Sequence, residues 1–236
     1  MTWSIIARDS QTGQFGIAVA TRFFAVGARV PHIAAGIGGV ATQALVNPYY
    51  GIDGLVLLRQ GHDPRGVVDT LIAADSGRES RQLHLMDAKG RIAAFTGNEC
   101  VDWCGHVQGD GFSIAGNMLA GAAVLDDTAK ALVANAGLPF AQRLITAMKA
   151  GEAAGGDKRG KQSAALLIHG EEEWSDLDLR VDDHTDPLAE LERLEQVSRE
   201  RWVHFRRFLP TRKNPAGITD RGTIDAGVQA ATADKA

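Results

Sequence analysis

Trp3-Ser4-Ile5-Ile6-Ala7-Arg8, Asp9-Ser10-Gln11-Thr12-Gly13 and Gln14-Phe15-Gly16-Ile17-Ala18-Val19-Ala20 read in succession as strand, turn and strand. Both apolar runs have strand length, and the polar segment between them ends in a glycine, which closes a hairpin turn without a Cβ penalty. Successive strand side chains point to opposite faces, so Thr2 and Ser4 share one face while Trp3 and Ile5 share the other.

Working outward, 29–35 and 39–43 are two further strands, separated by the breakers Gly36 and Gly38. Asn47-Pro48 opens a helix through Ile52, Leu55, Val56 and Leu58 that stops at Gly61. Asp63-Pro64 opens another, with Val67, Val68, Leu71 and Ile72 on one face. Proline suits the first helical turn because the N–H it lacks would have no partner there. The classes then repeat. Strands are expected at 81–86, 91–95 and 112–115, helices at about 121–135 and 138–150, and strands again at 162–169 and 176–181. Asp186-Pro187 starts a long helix with Leu191, Leu194, Trp202, Phe205 and Leu209 on one stripe. After Pro210 no periodicity remains, and a flexible tail is expected. Strands bunched before helices, twice over, predict an α+β layered fold with mostly antiparallel sheets.

The composition is that of an ordinary globular chain of 236 residues, 44% hydrophobic and 23% charged. A net charge of -4 offers no general field for nucleic acid. No apolar run approaches the roughly 18–20 residues of a membrane span. The N-terminus enters a strand-like segment with no basic stretch or signal core, and Cys100 and Cys104 are the only cysteines. The expectation is therefore a cytoplasmic protein without a disulfide framework, nucleic-acid partner or membrane partner.

Six segments taken in order carry a family resemblance: TWSIIARD (2–9), GIAVATRF (16–23), ATQALVNPYYG (41–51), HVQGDGFSIAGNMLAG (106–121), GGDKRGKQSAALL (155–167) and DLRVDDH (178–184). They resemble the bacterial domain of unknown function 1028, grouped with the amino-terminal-nucleophile (Ntn) hydrolase folds. The resemblance runs from Thr2 to about Leu194. It implies a four-layer α-β-β-α sandwich, with an Ntn-like domain over 1–195 and a C-terminal helix extension and tail over 196–236.

Ntn enzymes use the first residue of the mature chain, its side chain as nucleophile and its α-amine as base. Such an amine titrates at roughly 7.7–8.0, close to neutrality. The resemblance thus makes Thr2 the nucleophile once Met1 is removed. Proteasome-like members carry an Asp-x-Arg on the returning strand. Ala20-Thr21-Arg22 stands in the similar place here, keeping the arginine and lacking the aspartate. By the same comparison Asn117, after Gly116, is an oxyanion donor, and Asp157 is the acid before a late strand. The third-strand lysine of those members has no counterpart, since Arg29 and His32 are the basic residues of that region and the first lysine is Lys89.

The remaining candidates compete with plainer structural roles. Ser4 is either a fallback hydroxyl or a pocket residue beside Thr2. Arg22 and Asn117 suit carboxylate or oxyanion binding; Gln43 suits the same strand-end cluster or a loop-closing hydrogen bond. Asp157 and Arg159 lie in GGDKRG (155–160), which precedes a strand and lacks the spacing of a phosphate loop. They are expected to hold each other at the pocket rim. Cys100, Cys104 and His106 are too few for a closed zinc site. The plainer expectation is two buried thiols and a turn histidine around Trp103, while the resemblance, which includes Cys100 and His106, implies that these two line a pocket.

Residues 171–186 hold eight acidic side chains against Arg180 alone, and 199–213 hold six Arg/Lys against one Glu. The acidic stretch is by default a solvated edge, with cation binding at Asp182, Asp183 and His184 as a weaker alternative. The basic stretch suggests packing against a second subunit in a homo-oligomer, dimer or higher. Three functions follow: an amide C–N hydrolase acting on a small molecule or peptide without cofactor or metal, a non-catalytic ligand-binding or assembly module, or an enzyme using internal groups.

Overall fold

A computed structural model describes residues 2–233. The opening hairpin forms as its sequence dictates. β1 (Thr2–Arg8) pairs antiparallel with β2 (Phe15–Thr21), Trp3 opposite Ala20 and Arg8 opposite Phe15. The Asp9 side chain closes the turn, accepting from the Thr12 amide at 3.1 Å. This pair is the centre of a six-stranded sheet ordered β10-β9-β2-β1-β8-β7. The added strands are β7 (Trp103–Gly109), β8 (Phe112–Leu119), β9 (Ser163–His169) and β10 (Leu177–Val181). A four-stranded sheet, β3-β4-β5-β6, is built from β3 (Pro31–Ala34), β4 (Gly38–Ala44), β5 (Arg81–Asp87) and β6 (Ile92–Thr96). All these strand pairs are antiparallel. The fold is mixed α+β with antiparallel sheets, as expected.

Strand alternation sorts the apolar side chains into three clusters. Trp3, Ile5, Ala18 and Ile114 face α3 (Ala123–Ala134), α4 (Phe140–Ala153) and α5 (Pro187–Ser198), which contribute Leu125, Leu144 and Leu191 to the cluster. Ile6, Ile17 and Val19 project from the other face of the same sheet and meet Ala41 and Met86 of the smaller sheet. Val40, Leu83 and Leu85 leave the far face of that smaller sheet and pack on α1 (Pro48–Arg59) and α2 (Pro64–Ala73), through Tyr50, Val67 and Leu71. Each of the valine, leucine, isoleucine and methionine side chains among them, fully buried, contributes about 1.5–3 kcal/mol. Gly16 lets α4 lie close on β2, because a Cβ there would sit 2.6 Å from Leu144 Cδ1.

The helix starts read from the sequence are formed as side-chain caps. Asn47 Oδ1 accepts from the Tyr49 amide at 3.1 Å, Asp63 from Gly66 at 2.8 Å and Asp186 from Ala189 at 3.4 Å.

The sequence expectation is corrected in three places. The segment around His106 is a strand, β7, and not a turn. The long helix after Pro187 ends at Ser198, and the chain restarts as α6 (Trp202–Phe205). The Ser198 hydroxyl donates to the Glu195 carbonyl at 2.7 Å, and the Trp202 indole N–H donates to the Asp176 carbonyl at 2.8 Å, a tertiary contact that redirects the chain. Third, the region without periodicity contains a helix, α7 (Arg221–Ala233), that buries Val228.

The basic segment finds acidic partners within its own chain. Arg212 pairs with Glu173 at 2.7 Å and Arg201 with Asp225 at 2.8 Å, while Arg206 pairs with Asp176. No helix among the described residues is long and apolar enough to cross a membrane.

Candidate active site

Antiparallel pairing brings Thr2 opposite Asn117 and places Thr21 at the same end of the sheet, since Trp3 is opposite Ala20. These three side chains, with Gln43 at the end of β4, floor a cavity of about 610 Å³. Its walls are largely apolar, including Val26, Val30, Leu45 and Met118, and Arg29, Glu99, Cys100 and Arg159 also line it. The volume falls within the range of small-molecule sites. Thr2 is 7% exposed and its hydroxyl donates to Thr21 Oγ1 at 3.1 Å. Met1, whose removal the expected Thr2 nucleophile would require, lies outside the described residues.

Beneath the floor runs a buried polar network between the two sheets. Ser4, on the Thr2 face of β1, donates its hydroxyl proton to Gln43 Oε1 at 2.7 Å. It sits 2.8 Å from His84 Nε2, so with its one proton already engaged it accepts there, and His84 carries its proton on Nε2. His84 Nδ1 then accepts from Ser113 at 2.9 Å. Gln43 Nε2 and Asn117 Nδ2 both donate to Gln82 Oε1, at 2.8 and 3.0 Å. Gln82 Nε2 lies within donating distance of Thr96 Oγ1 (3.0 Å) and of the Gly105 and Gly116 carbonyls (3.1 and 2.8 Å). Every member is neutral. Burial, followed by the nearby His106 charge, pushes the His84 pKa down to about 3.

Asp157 forms a second buried anchor. Its carboxylate accepts from the Arg22 amide at 2.7 Å and the Arg159 amide at 2.8 Å, and pairs with the Arg159 guanidinium at 3.3 Å. It thereby ties the end of β2 to the 157–160 turn. The sequence candidates thus divide. Thr2, Thr21, Gln43, Cys100, Asn117 and Arg159 line the cavity, Ser4 lies directly behind it, and Asp157 holds its rim. Arg22 projects an exposed guanidinium toward Gly160 and is not among the lining residues. His106 is exposed on β7 and also outside the lining, with burial of its ring still lowering its pKa.

Cys100 and Cys104 are free, half-buried thiols. Burial, with Cys104 as a further cause, pushes Cys100 up to about 11, so it is a thiol at neutral pH and a poor nucleophile. The acidic stretch does not converge on one point. Asp182 pairs with Arg180 at 2.9 Å, Asp183 accepts from Gln162 at 3.1 Å, and His184 Nδ1 accepts from the Asp186 amide at 3.0 Å.

Sequence reasoning missed Gln82, His84, Ser113 and the lining residues Arg29 and Glu99. The available signal was in RQLHLMD (81–87), where Gln82 and His84 alternate with Leu83 and Leu85. A strand buried on both faces has no solvent side for polar residues, so they must meet partners inside. Backbone strain also gathers at this end of the molecule. The four non-glycine residues of positive φ among the described residues are Ala25 (54°), Ala44 (69°), Asp102 (55°) and Met118 (54°). Ala44 and Met118 line the cavity, and the other two adjoin the lining residues Val26 and Val101. Such conformations cost about 1–3 kcal/mol each and persist where surrounding contacts over-determine them.

No curated protein matches the chain. Among solved structures, a crystal structure of a family protein from Silicibacter pomeroyi superposes with a TM-score of 0.86 and 36% identity, covering 94% of this chain and 96% of that one. Anbu, the ancestral β-subunit from Yersinia bercovieri, gives a TM-score of 0.40 and 13% identity over 83% of this chain and 96% of its own. A likeness of that degree carries nothing over to this protein. The sequence matches a family of unknown function over residues 2–191, and with four-fifths of its length so covered the chain belongs to the DUF1028 family.

Proposed function

We propose that the protein is an Ntn-type hydrolase on a four-layer α-β-β-α sandwich, cleaving an amide C–N bond of a small molecule or peptide with Thr2 as nucleophile after Met1 is removed. The succession of three apolar clusters, helices to sheet, sheet to sheet and sheet to helices, supports the layering. One observation carries the chemistry: the first strand begins at the floor of the cavity, with the Thr2 hydroxyl at its base beside Thr21 and Asn117.

In this reading the freed Thr2 amine takes the Oγ1 proton as Oγ1 attacks the amide carbon. The C–N bond then breaks, the leaving nitrogen receives that proton, and water hydrolyses the resulting threonyl ester. Asn117 is the oxyanion donor. One of its Nδ2 protons is held by Gln82, and the other makes a long 3.5 Å contact to the Thr2 carbonyl that a developing oxyanion can replace. Gln43 and Ser4 fix the floor from behind. Asp157 fixes the backbone beside Arg22 and carries Arg159 to the rim, where substrate passes. Arg22 and His106 stand outside the lining, and this reading gives neither a part in the bond-breaking step.

N-terminal sequencing and intact-mass measurement of the purified protein test the premise. The expected chain begins at Thr2, and complete retention of Met1 would overturn the reading. In a screen of N-acyl amides for amine release, Thr2→Ala is expected to abolish turnover and Thr2→Ser to retain it.

A second reading, a ligand-binding or assembly module without catalysis, is favoured by one observation: no lysine lines the cavity among the described residues. A homo-oligomer, dimer or higher, in the cytoplasm belongs to either reading. The exposed apolar Phe23, Phe24, Leu45 and Tyr49 support the assembly, which light scattering on the eluting protein tests.

A further inference from the structure

Three charged side chains line the cavity, and two of them already have partners. Arg159 is paired with Asp157, and Glu99 accepts from the Ser80 hydroxyl at 2.6 Å. Arg29, an exposed residue that lines the cavity, makes no side-chain hydrogen bond or ion pair with any described residue. Its backbone is held firmly. The Arg29 amide donates to the Val26 carbonyl at 3.1 Å, the Val26 amide donates to Ser163 Oγ at 3.2 Å, and the Ala25 amide donates to the Asp182 carbonyl at 3.0 Å. An unpartnered guanidinium carried on a well-held backbone, at the exposed side of a mostly apolar cavity, offers an anion subsite. Its planar fork matches a carboxylate better than any neutral group.

We infer that the cavity takes an N-acyl amino acid or short acyl-peptide acid. The apolar body lies along Val26, Val30, Leu45 and Met118, and the free carboxylate is on Arg29. The placement of its amide at Thr2 and Asn117 rests on the hydrolase reading; the carboxylate on Arg29 does not. A substrate of this kind has its charge at one end, so Arg29 also sets which way round it enters. Leaving that carboxylate out removes a charge-assisted pair at a solvent-exposed position, a difference of roughly threefold to fivefold in affinity.

The test is calorimetric titration of the full chain with N-octanoylglycine and with its methyl ester, which differs in lacking the charge. The Thr2→Ala chain serves for binding, so that turnover does not intrude. N-octanoylglycine is expected to bind roughly threefold to fivefold tighter than the ester, and Arg29→Gln to erase that preference by weakening the acid alone. Arg29→Lys is expected to keep part of it. The thermal midpoint of each variant, read in parallel, is expected to match the parent, since the Arg29 side chain holds no structural contact among the described residues. Equal binding of acid and ester, no binding of either, or an unchanged preference in Arg29→Gln would overturn the inference.

Glycine release by the wild-type chain is measured separately. Charge-selective binding without release defeats the hydrolase reading and leaves the carboxylate subsite standing. Release of amine from acyl amides regardless of charge does the reverse.

Discussion

The space between the two sheets has two unlike ends. Toward the cavity the facing side chains are Ser4, Gln43, Gln82, His84 and Asn117, joined by hydrogen bonds of 2.7–3.0 Å. Elsewhere between the sheets β1, β2, β4 and β5 present Ile6, Ile17 and Met86 farther from the cavity, with Val19 beside Ser4 and Ala41 beside His84, packed without a polar contact between their side chains. Both ends are fully buried, so solvent does not explain the difference. An apolar filling of the first end would avoid the desolvation that each amide and hydroxyl suffers there. The polar end holds Asn117 and the Thr2 region in one arrangement through directional bonds, whereas apolar packing fixes volume but not the direction of a donor. The comparison teaches that the two ends are stabilised differently, and each can be probed separately.

The sharpest break is Gln82→Leu. It leaves donors on Gln43 and Asn117 and backbone carbonyls on β7 and β8 without their shared partner, and several buried unsatisfied groups together cost about 4 kcal/mol. Urea unfolding checks this, and a loss below about 1 kcal/mol would show that water or repacking replaces the amide. At the apolar end, Met86→Ala is expected to cost about 3 kcal/mol, through lost burial and a residual cavity. That variant is expected to leave the affinity of cavity ligands unaltered, while Gln82→Leu weakens it.

A third measurement uses pH. His84 is neutral in the folded protein and its pKa is lowered to about 3, against about 6.5 in the unfolded chain. Below pH 6.5 the unfolded state therefore binds the extra proton, so the His84 contribution is fully present above that pH and is lost as pH falls toward 3. The expected slope is about 1.4 kcal/mol per pH unit across the middle of that window. His32, His106 and His169 shift in the same direction. The difference between wild type and His84→Gln isolates the single group, and parallel pH profiles would show that His84 is not held neutral. The smallest effect belongs to Ser4→Ala, about 1–2 kcal/mol by chemical denaturation, because it removes one hydroxyl and leaves His84 Nε2 without its acceptor.

Reading the chain without coordinates succeeded where local chemistry decides. The β1–β2 hairpin, the shared face of Thr2 and Ser4 and the starts at Asn47, Asp63 and Asp186 all depend on neighbours within a few residues. It failed where partners are distant. β7, with its Gly105 and exposed alternate positions, is a strand because β8 pairs with it. The turn after Ser198 depends on Trp202 reaching Asp176. Helix α7 is a different kind of miss. Its signals were local, an alanine-rich segment and Asp220 accepting from the Thr223 amide at 2.8 Å, and the lack of an apolar stripe hid them.

The site divides in the same way. Strand alternation and turn chemistry put Thr2 and Ser4 on one face and set Asn117 at a strand end, because backbone geometry imposes those positions on any L-chain. Which strand lies beside which, and therefore that Gln82 reaches Asn117, that His84 fits between two serines and that Arg29 enters the wall of the Thr2 cavity, was decided only by tertiary packing. Hydrogen bonds spanning 35 to 80 residues have no local code, since nothing within a turn's length of either partner specifies the other.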